Sequence, residues 1–177
     1  MVRRMAQWAA LTLAACITLS WACSQTTGQL SLADYFRNFD AIATHAQERK
    51  ARIDDPFQSA TDVPDGEFVK AARVYVHENG AALERSLAEL HGLKPPDAAI
   101  ADHGAFASAL EDYLRLWQEM EKQTAAIQSS FEFKRTVNEL LEGPAVADAL
   151  QRSDDACLRL QATANRNGIE VDLKCRQ

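Results

Sequence analysis

The chain has 177 residues, of which 25 are acidic and 19 are basic, so its formal net charge is −6. The basic residues form no cluster, whereas nucleic-acid binding depends on cations that neutralise phosphates. The same reasoning argues against electrostatic binding to anionic lipid head groups. The length is sufficient for one domain with a substantial hydrophobic core.

The N-terminal residues have the layout of an export signal. Arg3 and Arg4 precede an apolar stretch from Met5 to Ala22, after which the chain becomes polar. We therefore predict a signal peptide over residues 1–22, a tether over 23–30 and a single domain over 31–177. Removal of the signal leaves 17 basic and 25 acidic residues, a net charge of −8. An uncleaved anchor stays open as an alternative, because spanning a bilayer takes about 20 apolar residues.

Two cysteines near the signal indicate lipidation. Cys23 follows Ala22 and precedes the polar tether, so it is the favoured lipid attachment site. Cys16 is the alternative, because residues 13–16 resemble the bacterial lipobox. Residues 20–22 also fit the small-x-small rule for ordinary signal cleavage, which would give a secreted or periplasmic protein. A single acyl chain anchors weakly, but bacterial lipoproteins carry more than one.

The first two helices follow from apolar residues that recur every three or four positions. The first helix is predicted over 31–53, with Ser31 as its N-cap. A loop that contains Pro56 and Pro64 follows, because the two prolines are expected to prevent one helix from running straight through. The second helix is predicted over 67–91, where glycine and two prolines end it.

Three further helices complete the predicted domain. Asp97 is the expected N-cap of the third, which runs to about residue 128. A short helix over 131–142 precedes a glycine–proline pair, and Pro144 opens the last helix. The apolar residues of the last helix are expected to face inward: Val146, Leu150, Cys157 and Leu160.

The C-terminal cysteines are expected to form a disulfide, since an exported protein meets an oxidising compartment. Cys157 lies on the inward face of the last helix, which ends before Gly168. Residues 169–175 then alternate apolar and polar, the period of an extended segment, so Cys175 faces the same side as the apolar residues. The chain is predicted to reverse at Gly168 and to lie back along the last helix or a neighbouring groove.

These elements together predict an all-α domain. The expected architecture is an antiparallel up-down four-helix bundle with a short extra helix and a disulfide-pinned extended C-terminal tail. No internal repeat of 20 to 50 residues is present, which excludes a solenoid.

Histidines are the first candidates for a metal or ligand site. His103 lies close to the middle of the apolar stripe of the third helix, and His91 would lie near the turn beside carboxylates. We favour a half-buried His103 that bonds to a carboxylate or a backbone carbonyl. His45 and Glu48 have ligand spacing, but they are expected on a solvated helix face. We therefore predict no metal centre and no cofactor.

Asn79 and Gly80 fall on the inward side of the second helix. A glycine inside a helix costs about 1 kcal/mol relative to alanine, so something there requires close approach. A tight helix crossing is favoured over a ligand pocket that would include Asn79, His91 and His103. No serine or cysteine has an evident base, and the sequence predicts no catalytic residue and no enzyme.

Three short segments resemble secreted or lipid-anchored bacterial proteins of unknown function. They are residues 32–36 (LADYF), the segment from Leu93 to Leu110 that contains Pro95, Pro96 and His103, and the C-terminal stretch from Cys157 to Cys175. The resemblance implies a helical envelope protein, and it brings no activity, cofactor or catalytic residue.

The expected function is that of an exported, lipid-anchored bacterial envelope protein with a structural or protein-interaction role and an envelope protein as partner. The alternative is a periplasmic or extracellular helical bundle that binds a small ligand or a metal. A hydrolase that acts on envelope polymer lacks any visible nucleophile or carboxylate pair.

Overall fold

The computed structural model describes residues 28–58 and 63–175, and within them the chain forms five α-helices and no strand. The predicted signal peptide, Cys16 and Cys23 lie outside the described residues. The helices are α1 Leu32–Gln58, α2 Asp65–Gly92, α3 Ile100–Thr124, α4 Ser130–Leu141 and α5 Pro144–Arg166. The prediction of an all-α protein is confirmed.

The helix α1 begins as predicted but continues farther. The hydroxyl of Ser31 accepts a hydrogen bond from the Asp34 amide at 3.1 Å, as an N-cap does. The predicted end near residue 53 is wrong, because the helix contains Pro56 in its last turn. The ring of Phe57 stacks on Tyr75 with centroids 4.3 Å apart. This packing fixes the last turn and offsets the backbone hydrogen bond that proline removes.

The predicted boundaries of α3 are also wrong. Ala99, not Asp97, is its N-cap, and Asp97 instead accepts a hydrogen bond from the Gln29 side chain at 3.1 Å. The helix ends at Thr124, where the Arg73 guanidinium donates to the Thr124 and Ile127 carbonyls. The bond to Thr124 satisfies a carbonyl group that a helix end leaves without an intrahelical partner.

The last two helices start close to the predicted positions. The hydroxyl of Ser129 caps α4 by accepting from the Glu132 amide at 3.5 Å, and Pro144 is in the first turn of α5. Gly168 follows the end of α5 with φ +67°, a backbone conformation that glycine adopts without strain. Leu150 was expected inward, but 43% of its surface is exposed.

The first four helices each pack against the next one in the chain, and α4 also packs against α2. The last helix, α5, returns along α3 and also meets α1. The ion pairs Asp112–Arg152 and Asp102–Arg159, both at 2.6 Å, show that α3 and α5 are antiparallel. The short helix α4 therefore connects the end of α3 to the start of α5.

Buried apolar side chains form two separate clusters. The proximal core lies near the start of the described chain, and the distal core lies at the opposite end of α1. The proximal core consists of Tyr35, Phe36, Phe39, Leu90, Ala99, Ala107, Cys157, Leu160, Ala164 and Leu173. The distal core consists of Phe68, Val69, Ala72, Val76, Trp117, Met120 and Phe133.

The C-terminal residues lie back along α5 and complete the proximal core. The side chain of Gln161 donates to the Val171 carbonyl and accepts from the Leu173 amide, both at 2.8 Å. The sulfur atoms of Cys157 and Cys175 are 2.06 Å apart, which is bonding distance. The extended tail thus lies along α5 through backbone hydrogen bonds, with the two cysteine sulfur atoms at disulfide distance.

Reduction of the Cys157–Cys175 bond should lower the free energy of unfolding by about 3 kcal/mol, as the chain-entropy model gives for a loop of this size. Guanidinium unfolding of the oxidised and the reduced protein measures the difference. A Cys157→Ala/Cys175→Ala variant is the control, because a reductant should not change its free energy of unfolding. A reduced protein as stable as the oxidised one would contradict a stabilising role for this bond.

Candidate functional site

An apolar cleft of about 640 Å³ opens beside the distal core. Side chains from α1, α2, α3 and α4 line it, and six of them are aromatic: Phe57, Phe68, Tyr75, Tyr113, Trp117 and Phe133. Sites for small molecules in proteins have volumes of about 300–1,000 Å³ and mostly apolar walls with a few polar groups. The size and lining of the cleft therefore fall within the range found for small-molecule sites.

Four of the six aromatic residues form one wall, because helical periodicity places them on the cleft side of α2 and of α3. On α2, Phe68 and Tyr75 are two turns apart, and on α3, Tyr113 and Trp117 are one turn apart. The rings of Tyr75 and Trp117 meet edge to face at 6.2 Å, and those of Tyr113 and Trp117 do so at 6.1 Å. Edge-to-face contacts hold each ring in one orientation, so the wall is shaped before any ligand arrives.

Two lysines are the only charged residues among the described residues that line the cleft. Lys50 on α1 forms an ion pair with Asp54, one turn farther along the helix. Lys134 on α4 lies over the face of Phe68, with its ammonium 4.4 Å from the ring centroid. No carboxylate of the described chain forms an ion pair with Lys134. A chain with an acidic net charge thus presents positive charge at this cleft.

Polar contacts join α1 and α2 beside the cleft. Arg49 donates to both carboxylate oxygens of Glu89, at 2.9 and 3.0 Å, and to the Ser86 hydroxyl at 3.0 Å. Bonds from the Arg49 guanidinium lower the pKa of Glu89, so this pair remains charged. Burial, with the charge of Asp54, raises the pKa of Tyr75 to about 12, and its phenol remains neutral.

The structure places Asn79 in this cleft but separates it from the histidines. The Asn79 amide donates to the Tyr75 carbonyl at 2.8 Å. Beside it, a Cβ on Gly80 would lie 3.8 Å from the Trp117 Cβ, so α2 and α3 approach closely here. The alternative pocket of Asn79, His91 and His103 is not assembled at this cleft, because neither histidine lines it.

His103 belongs to the proximal end of the molecule. Its Nδ1 is 3.0 Å from the hydroxyl of Tyr35, whose side chain is completely buried. The expected partner was a carboxylate or a carbonyl, and the actual one is this phenol. His91 is exposed and pairs with Glu111 at 3.2 Å, and His45 is exposed on α1.

Sequence reasoning missed the cleft because its lining comes from four helices. Lys50, Lys134 and Asn138 are typical of a solvated helix face when each helix is considered alone. Phe57 falls in a segment that was predicted to be a loop. One signal of the cleft was available on the short helix α4. There, apolar Phe133 and Val137 are each followed by a polar residue, Lys134 and Asn138, so one face of the helix is mixed.

Comparisons with protein-family models, with curated proteins and with solved structures gave no match to this chain. None of the described helices is long and apolar enough to cross a membrane. In the described part of the chain, no group of three or more His, Cys, Asp or Glu side chains is arranged to hold a metal ion.

A pH titration tests the state of His103. Burial first, and the charge of His91 second, lower the pKa of His103 below its ordinary value of 6.5. The unfolded chain therefore takes up the proton first, and stability is lost as the pH falls through the pKa of the folded protein. His103→Gln, whose amide can still bond to Tyr35, should lose less stability than the original protein between about pH 8 and pH 5.

The measurement is the free energy of unfolding at each pH. His77→Gln is the control, because His77 is exposed on α2 and pairs with Glu121. Its curve gives the effect of removing an exposed histidine. If the curve of His103→Gln were parallel to that of the original protein, His103 would not be held in the neutral form.

Proposed function

We propose that this chain is an exported, lipid-anchored and non-enzymatic envelope protein whose helical domain binds an apolar ligand in its cleft. The four long helices form an up-down bundle, α4 is the short extra helix, and the Cys157–Cys175 disulfide pins the tail. Of the two functions expected from the sequence, ligand binding is the one that the geometry favours. The observation that carries it is the aromatic cleft of about 640 Å³.

The case for a lipid-anchored exported protein rests on both ends of the chain. The basic and apolar N-terminus has the layout of an export signal, with Cys23 before a polar tether. The sulfur atoms of Cys157 and Cys175 are at bonding distance, and disulfides persist in oxidising compartments outside the cytoplasm. Both features support the same compartment independently of each other.

Residues 28–30, the described end of the tether, and the cleft lie toward opposite ends of α1. Near the tether, the Leu30 amide donates to the Lys94 carbonyl at 3.2 Å, next to the proximal core. Lys50, the first charged residue of the cleft, is 18 residues beyond Leu32, which corresponds to about 27 Å along a helix. A protein anchored through Cys23 therefore presents its cleft away from the attachment point.

The composition of the cleft supports binding rather than catalysis. Its described lining contains no histidine, cysteine, aspartate or glutamate. Its one serine, Ser86, donates its hydroxyl to the Ala82 carbonyl and accepts from Arg49, so it contacts no general base. The buried histidine of the domain bonds to a phenol in the other core. The two lysines of the lining serve as binding groups.

A neutral dye tests the cleft without involving charge. Nile red should bind the exported domain, residues 24–177, with a gain in fluorescence. Ala46 lines the cleft from α1, so Ala46→Phe should fill part of it and weaken binding at least about tenfold, the usual result of a clash in a preformed apolar pocket. Ala41→Phe adds the same ring on an exposed position of α1 outside the cleft and should bind like the original protein.

Equal binding by the Ala46 and Ala41 variants would place the dye elsewhere and contradict the proposed function. Circular dichroism shows whether both variants retain the helical fold. The absence of dye binding to the unaltered domain would also contradict it.

Replacement of Cys23 tests the anchor. Cys23→Ser should abolish incorporation of labelled fatty acid and shift the protein from the membrane to the soluble fraction, because the attachment thioether cannot form. Cys16→Ser is the matched control and should leave both results unchanged. A Cys23→Ser protein that still carries lipid would identify Cys16 as the attachment site and contradict the assignment.

A further inference from the structure

We propose that the ligand of the cleft is a fatty carboxylate, a single apolar chain that ends in one carboxylate group. This inference rests on the proposed function and names the chemical class that the cleft would select. It follows from the charges at the cleft and from the groups that stand beside Lys134.

The sign of the charge is the first argument. The cleft presents two cations and, in its described lining, no anion, although the chain as a whole has a net charge of −6. A cationic ligand would meet repulsion from both lysines, and Lys134 already covers the face of Phe68. A ligand with a negative end is attracted, so charge complementarity selects an anion.

The amount of charge is the second argument. Asp54 already pairs with Lys50 and offsets its charge, whereas Lys134 has no carboxylate partner in the described chain. One uncompensated positive charge matches a monoanion such as a carboxylate. A phosphate monoester carries close to two charges at neutral pH, and binding sites for it commonly supply arginine forks, which are absent from this lining.

The third argument is the position of a second polar group. Asn138 also lines the cleft and lies one turn after Lys134 on α4, so both side chains stand on the same face. An ammonium and a side-chain amide can donate to the two oxygens of one carboxylate. The apolar chain of the ligand then lies along the aromatic wall, which includes Trp117.

Tryptophan fluorescence can report this binding directly. The chain contains three tryptophans, Trp8, Trp21 and Trp117, so residues 24–177 retain only the one in the cleft. Decanoate, decanol, decyl phosphate and decyltrimethylammonium share one tail and differ in the head group. We expect decanoate to bind about tenfold more tightly than decanol, decyl phosphate no more tightly than decanoate, and the cation most weakly.

A charge reversal identifies the lysine. Lys134→Glu should weaken decanoate binding about tenfold and leave decanol binding unchanged, because it replaces attraction by repulsion at the head group only. Arg135→Glu changes the net charge equally on the next, exposed residue of α4, which is outside the cleft, and should alter decanoate affinity by less than about twofold. Lys134→Gln, which adds no negative charge, should give an intermediate loss of about threefold.

The outcomes separate the two proposals. The proposal of a fatty carboxylate would be overturned if decanol and decanoate bound with equal affinity. Equal effects of Lys134→Glu and Arg135→Glu would overturn it as well. In both cases the apolar site would remain. Tighter binding of decyl phosphate than of decanoate would overturn the choice of carboxylate. If none of the four compounds changed Trp117 fluorescence or bound by calorimetry, the cleft function itself would fail.

Discussion

The structure depends on how α1 is held at its first turns. Tyr35 and Phe36 are completely buried and Phe39 nearly so, and together they bring α1 into contact with α3, α5 and the C-terminal tail. Large buried aromatic side chains contribute more than most residues to the stability of a core. Farther along, α1 is held mainly by α2, through Arg49 and then through Phe57. The proximal end is therefore closed, and the distal end leaves room for a cleft.

The short helix α4 explains why the distal end does not close. It has 12 residues, and the Gly143–Pro144 pair separates it from α5. Phe133 buries its ring in the distal core, whereas Leu141 remains partly exposed at the cleft. A domain that closed fully here would bury more apolar surface, worth about 25 cal/mol per Å². An open aromatic wall is thus a cost in stability, which a bound ligand would offset.

Much of the fold could be predicted from local pattern, because periodicity reports which face of a helix is buried. It placed Val146, Cys157 and Leu160 inward, and Gly143–Pro144 and Gly168 at helix boundaries. The end of α1 could not be predicted, because Phe57 outweighs Pro56 through contacts with another helix. The prediction that Asp97 caps α3 was wrong for a similar reason. Its carboxylate accepts a hydrogen bond from Gln29, which lies far away in the sequence. The cleft was missed because no single helix contains enough of it to show a pattern.

The central claim is that the domain binds an apolar, anionic ligand at its distal end. The most direct test is nuclear magnetic resonance of the isotope-labelled domain during titration with decanoate. The amide signals of cleft residues such as Tyr75, Trp117 and Lys134 should shift and saturate together, while those of Tyr35 and His103 in the proximal half stay in place. Shifts centred on the proximal core, or shifts that never saturate, would contradict a ligand site in the cleft.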